Sequence, residues 1–460
     1  MDTLLTFLWN LASFILVLGV LVTFHEYGHF WVARRAGVKV LKFSVGFGKP
    51  LYRWYGKDGV EYIIAQLPLG GYVKMLDENE GEVAEELKSQ SFNQASLSKR
   101  FAIVAAGPVA NLLLAIFLFW LTFMVGIPAI KPIVGTIHPH SAAFEAGVHE
   151  GDLITSIDNI AVETWGDVRL QLATHLGEKG RILLKLQNPD TLKTYQATLV
   201  LKQKIGANPN QDPIELLGFD IFIPEPDARV GEVTIGSAAE KAGILKGDII
   251  KSIDHQKIEK WSDISHALIN KAQQTVELTV DRKGQWIDLN VLPSLREGDN
   301  SNNGYLGIRF VIDDSYKKMV ENISIDVSFG PLESLSKAWD KTATMFSLSV
   351  KVIFKMISGE VSVKNLSGPV GIAQGAGNSA NAGLGYFLSF MAMISVSLGF
   401  LNLLPVPVLD GGHLFFYTIE AMMGKPVPEK IQAFGMQIGI VLIITLTAIA
   451  LFNDFTRIGF

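Results

Sequence analysis

The chain has 460 residues, 48% hydrophobic and only 18% charged, with a mean hydropathy of +0.29. That is too apolar for an ordinary soluble protein and too polar for a polytopic transporter, so a few membrane spans plus soluble domains are expected. The net charge of −5 gives no support to nucleic-acid binding, and the absence of cysteine rules out disulfides and leaves any metal site nitrogen and oxygen ligands only.

The first apolar run, residues 4–24, is long enough to cross a bilayer and leads into His25-Glu26-Tyr27-Gly28-His29, followed by Arg34 and Arg35. It lacks the basic start, short apolar run and small-residue cleavage site of a signal peptide. On a helix, His25 and His29 stand one turn apart on one face, and Glu26 is rotated off it. The pattern suits two metal-binding imidazoles and a general base, as in a zinc-dependent peptidase with a further ligand to be found. The plain alternative is two histidines at a helix end. Their place in an apolar span weighs against it, because ionisable groups there are costly and usually functional. With basic residues only at its C-terminal end, this span (1–37) puts the N-terminus outside and the motif toward the cytoplasm, roughly 30 Å from residue 4.

Residues 38–78 change character. Short β-branched and aromatic stretches at 38–43, 51–55 and 60–65 are separated by Gly46-Phe47-Gly48, Lys57-Asp58-Gly59 and Gly70-Gly71. They predict a small membrane-associated antiparallel sheet packed beside the first helix. It either connects the helices or offers an edge to an extended partner segment, with Gly46, Gly48, Gly70, Gly71 and Tyr72 as contact points. Residues 79–98 are an acidic, polar cytoplasmic loop. The second span, 99–127, runs outward from Lys99-Arg100 and carries Gly107-Pro108-Val109-Ala110-Asn111. Gly107 and Pro108 favour close helix packing, and Asn111 reads as a packing hydrogen bond.

A repeat follows. Ser141-Ala142-Ala143 and Gly151-Asp152 recur as Ser237-Ala238-Ala239 and Gly247-Asp248, and the same register aligns Trp165 with Trp261. Two tandem α+β modules, 128–223 and 224–312, are expected. Each resembles a PDZ domain, which takes a chain end by strand addition. The counterparts of the carboxylate-binding turn, Gly218-Phe219 and Gly307-Ile308, stand at the end of each module, which implies circularly permuted PDZ domains. Capture of peptide ends and steric filtering remain equal alternatives. Residues 328–360 predict an amphipathic helix lying on the membrane surface or against the modules, and 361–385 a flexible linker.

The third span, 386–413, ends in Asn402-Leu403-Leu404-Pro405-Val406-Pro407-Val408-Leu409-Asp410-Gly411-Gly412-His413. Pro405 and Pro407 break the helix where irregular backbone must be buried or line a wet cavity. Asp410 falls at the depth of His25 and is favoured as the third metal ligand over His413, which lies a turn nearer bulk water. The fourth span, 430–453, returns outward.

His25-Glu26-x-x-His29, Gly107-Pro108-x-x-Asn111 and the Asn402-to-Gly412 motif, in that order around a PDZ pair, resemble the site-2 proteases, intramembrane zinc metalloproteases, in their bacterial form. The resemblance covers essentially the whole chain. It implies a polytopic α-helical protein of the inner membrane with four spans, both termini and the PDZ domains periplasmic, and one zinc ion per chain on the cytoplasmic side. The implied substrates are single-span membrane proteins already cut by another protease, an anti-sigma factor or signal-peptide remnants. Glu26 is then the catalytic base, and Asn402 holds the unwound substrate backbone. A non-catalytic PDZ receptor with a vestigial metal site is the alternative. The intact set of His25, Glu26, His29 and Asp410 argues against it.

Overall fold

The computed structural model describes residues 2–79, 81–206, 212–295 and 302–458. Helix α1 (Asp2–Arg35) is apolar through most of its length and carries the histidine motif in its last three turns. Strands β1 (Val40–Tyr55) and β2 (Glu61–Met75) follow as one folded sheet. Val45 of β1 lies between Gly71 on one side and Ile64 on the other, so residues 71–75 form an outer edge, and this edge runs beside α1. An Arg34–Asp58 ion pair of 2.7 Å ties the end of α1 to the turn between the strands. Helix α2 (Leu97–Val125) then crosses α1 with Pro108 inside it.

After α2 come β3 (Ile127–Ile130) and two modules built to one plan. The first comprises β4 (Val134–Ile137), α3 (Ala142–Glu145), β5 (Leu153–Ile157), β6 (Ile160–Ala161), α4 (Trp165–Ala173), β7 (Gly180–Gln187), β8 (Thr194–Leu201), α5 (Pro213–Leu217) and β9 (Phe219–Ile221). Its sheet order is β6-β5-β7-β8, with a separate β4-β9 pair. The second comprises β10 (Val230–Val233), α6 (Ala238–Lys241), β11 (Ile249–Ile253), β12 (Gln256–Lys257), α7 (Trp261–Ala267), β13 (Val276–Arg282), β14 (Gln285–Val291) and β15 (Ile308–Phe310). Its order is β12-β11-β13-β14, with a β10-β15 pair.

The repeated residues have the same work in both modules. Ser141 and Ser237 cap α3 and α6 by accepting the amides of Phe144 and Glu240. The buried carboxylates of Asp152 and Asp248 each close the loop before them by accepting the amide of His149 or Leu245 at 2.8 Å. Each module has its own core, with Leu184 and Phe219 in one and Leu278 and Val280 in the other.

Helix α8 (Asp314–Ile323) leads to β16 (Ser324–Val327), which pairs antiparallel with β3, Val327 opposite Ile127. Residues 128–130, expected within the first module, thus belong with Ile127 to a stem joining the modules to the helices. Helix α9 (Pro331–Ile357) turns Lys337 to Glu163 at 3.2 Å and Lys355 to Glu178 at 2.6 Å, both on the first module. Lys341 lies over the Phe119 and Phe123 rings of α2, and burial holds its ammonium below the usual lysine value. Trp339, Phe354 and Ile357 stay exposed. One face of this amphipathic helix thus packs on the first module and α2, while apolar residues remain exposed on it.

The segment 361–385, expected as a flexible linker, instead holds helix α10 (Pro369–Ala382). Glycine and asparagine are poor helix formers, but tertiary contacts override them here. Asp454 accepts the amides of Gly368, Val370 and Gly371 at 2.9–3.0 Å at the start of α10. Farther along, Gly377 lets Asn10 of α1 come so close that an added Cβ would lie 1.8 Å from its side-chain oxygen. Helix α11 (Leu384–Asn402) packs on α2, residues 403–409 form the break, and α12 (Asp410–Met423) starts on the aspartate. Helix α13 (Glu429–Ile458) follows. Among the described residues four helices, α1, α2, α11 and α13, are long and apolar enough to cross a membrane.

Because the module cores are separate, Leu184→Ala and Leu278→Ala, each removing a side chain with no solvent exposure, should act locally. Each is expected to destabilise its own module by about 2–5 kcal/mol. Hydrogen exchange on the full chain checks this: faster exchange should be confined to the module mutated.

Candidate functional site

The last turns of α1 place both imidazoles against α2, and two glycines make this possible. A Cβ on Gly28 would stand 2.3 Å from the Ala106 carbonyl oxygen, and one on Gly107 would stand 2.3 Å from His29 Nε2 and 2.8 Å from His25 Cε1. Both histidines are buried. His29 Nδ1 lies 2.8 Å from the Ile103 carbonyl, which accepts its N–H in a hydrogen bond and so leaves Nε2 with its lone pair. His25 Nδ1 lies 3.1 Å from the Asn111 amide nitrogen, while the Asn111 amide oxygen is buried without a partner among the described residues. Turning that amide over lets its oxygen accept the Nδ1 proton and frees His25 Nε2 in the same sense. Asn111 also joins α11, since its carbonyl accepts the Ser395 hydroxyl at 2.7 Å.

Asp410 arrives from the other side. The Pro405–Pro407 break turns the chain back so tightly that a Cβ on Gly411 or Gly412 would meet the backbone of 403–407 at 2.3–2.4 Å. This bend sets Asp410 Oδ2 3.1 Å from His25 Nε2 and 3.5 Å from His29 Nε2, and the two Nε2 atoms are 3.2 Å apart. These three residues form the group able to hold a metal ion among the described residues. Ligands about 2.0–2.1 Å from a tetrahedral zinc lie about 3.3 Å from one another, so the triangle has the size of one face of that tetrahedron. Asp410 Oδ2 is also buried with no hydrogen bond directed at it among the described residues. Two neutral imidazoles and a carboxylate make a donor set that suits zinc, and the residues fit the ion.

The triangle opens into a cleft of about 930 Å³ lined by Glu26, Gly71, Tyr72, Arg100, His413 and Glu420 among others. Glu26 runs beside the sheet edge, and a Cβ on Gly71 would lie 2.9 Å from its Cγ. Of the expected sheet contacts, Gly71 and Tyr72 reach the cleft. Gly46, Gly48 and Gly70 do not line it but hold bends of the sheet at φ values of +93°, +92° and +125°. His413 faces the cleft outside the triangle. Asn402 is the last residue of α11, half-buried, and is not among the cleft-lining side chains.

Gly218 and Gly307 have left-handed φ values of +94° and +79°, and each is pressed against the capping serine of its module, Ser141 or Ser237. Phe219 is fully buried and Ile308 lies in β15. The sequence alone indicates neither the Ile103 carbonyl nor the histidine-facing role of Gly107, and the packing expected of Asn111 omits its contact with His25. The only sequence signal was the recurrence of glycine and asparagine inside an otherwise apolar span.

A sequence model of Peptidase family M50 matches residues 13–446. The chain is 42% identical to Protease RseP of Yersinia pestis over 459 residues, covering 99% of this chain and 100% of that one. It is equally similar, over the same shares, to the Regulator of sigma-E protease RseP of Escherichia coli K12. To the Regulator of sigma E protease of Haemophilus influenzae it is 40% identical over 456 residues, again 99% and 100% of the two chains.

If Gly107 exists to admit the imidazoles, Gly107→Ala should displace them and lower zinc affinity by at least tenfold. Asn111→Leu, which removes the partner of His25 Nδ1, should weaken it about 10–100-fold. Chelator competition on the purified protein measures both.

Proposed function

The chain belongs to peptidase family M50, and on that premise we propose that it cuts single-span membrane proteins at the cleft beside His25, Glu26, His29 and Asp410. It is an intramembrane zinc metalloprotease of the site-2 type, acting in regulated proteolysis of the sigma-E pathway. The observation that carries the site assignment is the 3.1–3.5 Å triangle of ligand atoms opening into the cleft that Glu26 lines.

His25, His29 and Asp410 would hold one zinc ion. When bound, zinc supplies a Lewis acid for the scissile carbonyl and acidifies a water molecule. Glu26 takes the proton from the attacking water and passes it to the departing amine nitrogen. The Ile103 carbonyl and the Asn111 amide keep both imidazoles facing the ion. A helical substrate hides its amides in i→i−4 pairing and must unwind before it is cut. The edge at 71–75, passing Glu26, offers replacement hydrogen bonds to an extended strand, and the missing side chain of Gly71 lets that edge lie close against Glu26 and Val22 of α1. Asn402, beside the broken segment, is assigned to the unwound substrate backbone by its match to the family motif.

The substrates we assign are anti-sigma factors shortened by an earlier cut, with signal-peptide remnants as a second class. The modules are read as circularly permuted PDZ domains, a reading supported by the pairing of each module's last strand with its first. Gly218-Phe219 and Gly307-Ile308 stand at the start of those last strands. The basic residues Arg34, Arg35, Lys99 and Arg100 favour an orientation in the bacterial inner membrane with the metal site toward the cytoplasm and the modules and termini in the periplasm.

Glu26→Gln should retain bound zinc and lose cleavage of a reconstituted single-span substrate by at least a thousandfold, as for a lost general base in a unit that acts together. Full activity in that variant would refute the base assignment. Asp410→Asn should lose zinc, and unchanged metal content would transfer the third position to His413. For the modules, deleting residues 131–310 should release cleavage of a long, uncut substrate while leaving a pre-trimmed one unaffected; no release would remove the filter.

A further inference from the structure

Two separate parts of the molecule must meet to build the metal triangle. One is α1 with the first turns of α2, where the Ile103 carbonyl and Gly107 set the imidazoles. The other is α12, which begins with Asp410 and is joined to α11 by the broken segment 403–409. Gly411 and Gly412 lock the first turn of α12 to its own approach segment. They do not register it against α2.

A charged contact between the two helices lies farther along α12. Arg100, in the first turn of α2, grips Glu420 with both guanidinium nitrogens, Nη2 to Oε1 at 2.6 Å and Nη1 to Oε2 at 3.3 Å. Tyr417, one turn earlier on α12, lies with its ring 5.1 Å from the same guanidinium carbon. The Arg100 Nε donates to the Ala95 carbonyl at 3.2 Å, which fixes the arginine at its own end. The two side chains are only 18% and 15% exposed at the wall of the cleft, so the pair is less screened than an ion pair on the open surface. Its fork geometry fixes orientation as well as distance. Arg100 stands three residues before Ile103 and seven before Gly107, on the stretch of α2 that sets the histidines.

We propose that the Arg100–Glu420 pair is a positioning clamp for the metal site. It holds α12 in register against α2 and so keeps Asp410 within ligating distance of His25 and His29. This rests on Asp410 being the third ligand. The pair touches neither the metal position nor the reacting atoms, so it acts through Asp410 and shows itself in metal affinity.

The test measures zinc affinity by chelator competition and the visible absorption of the cobalt(II)-loaded protein, on the full chain. Glu420→Gln and Arg100→Gln preserve most of the shape and remove one charge. Each should weaken zinc binding about tenfold, the range of lost supporting contacts at metal sites, and alter the cobalt bands that report coordination geometry. The swapped pair, Arg100→Glu with Glu420→Arg, should recover most of the affinity and the wild-type spectrum. Asp410→Asn runs in the same series. If it loses zinc while Glu420→Gln and Arg100→Gln bind as wild type, the clamp is refuted and the ligand assignment stands. If Asp410→Asn binds zinc normally, the ligand assignment itself fails. Loss in both single variants with no recovery in the swap also overturns the clamp, because it would mark a merely structural contact.

Discussion

The close crossing of α1 and α2 is the contact on which the site depends. Between apolar spans there is little hydrophobic gain in association, and small residues that let backbones touch take over that role. Gly28 and Gly107 supply the contact, one inside the histidine motif and one on the facing helix. With them the Ile103 carbonyl and the Asn111 amide come within reach of the two Nδ1 atoms. Imidazoles on a lone helix would rotate freely; here each is held by its far nitrogen, and the near nitrogens point to a common place.

The remaining side of that place is closed by a carboxylate that the protein leaves without a directed hydrogen bond among the described residues. Such a group is expensive in an apolar setting unless a cation compensates it. The prolines and the glycine pair after Leu404 hold the carboxylate there. Gly435 and Gly439 of α13 pass against Pro407 and Val408, so the irregular segment is covered by protein as a break at this depth requires.

Much of this was legible from residue order, and for identifiable reasons. The His25–His29 spacing is a local property of a helix, and the depth of Asp410 follows from counting along a span. The repeat was visible because its serines and aspartates satisfy the same backbone amides twice. What escaped depended on partners distant in sequence. Residues 369–382 have the composition of a linker and become a helix because Asp454 caps them and α1 accepts their small residues. Asn111 and Ile103 look like any residues of an apolar span until the histidines are placed beside them. The strand order of the first sheet, with the first part of β1 between two arms of β2, is likewise not legible in short strands taken in succession.

The stem formed by β3 and β16 bears on the ancestry of the chain. Ile127 and Val327 lie opposite each other, so everything between them departs and returns at a single point on the helical body. The path from α2 to α9 is closed at that point whatever hangs from it. Topologically the double module is a cassette seated in a shorter enzyme. Its gain, loss or exchange would leave the order of the catalytic helices intact, and lineages could alter the modules without rebuilding what cuts.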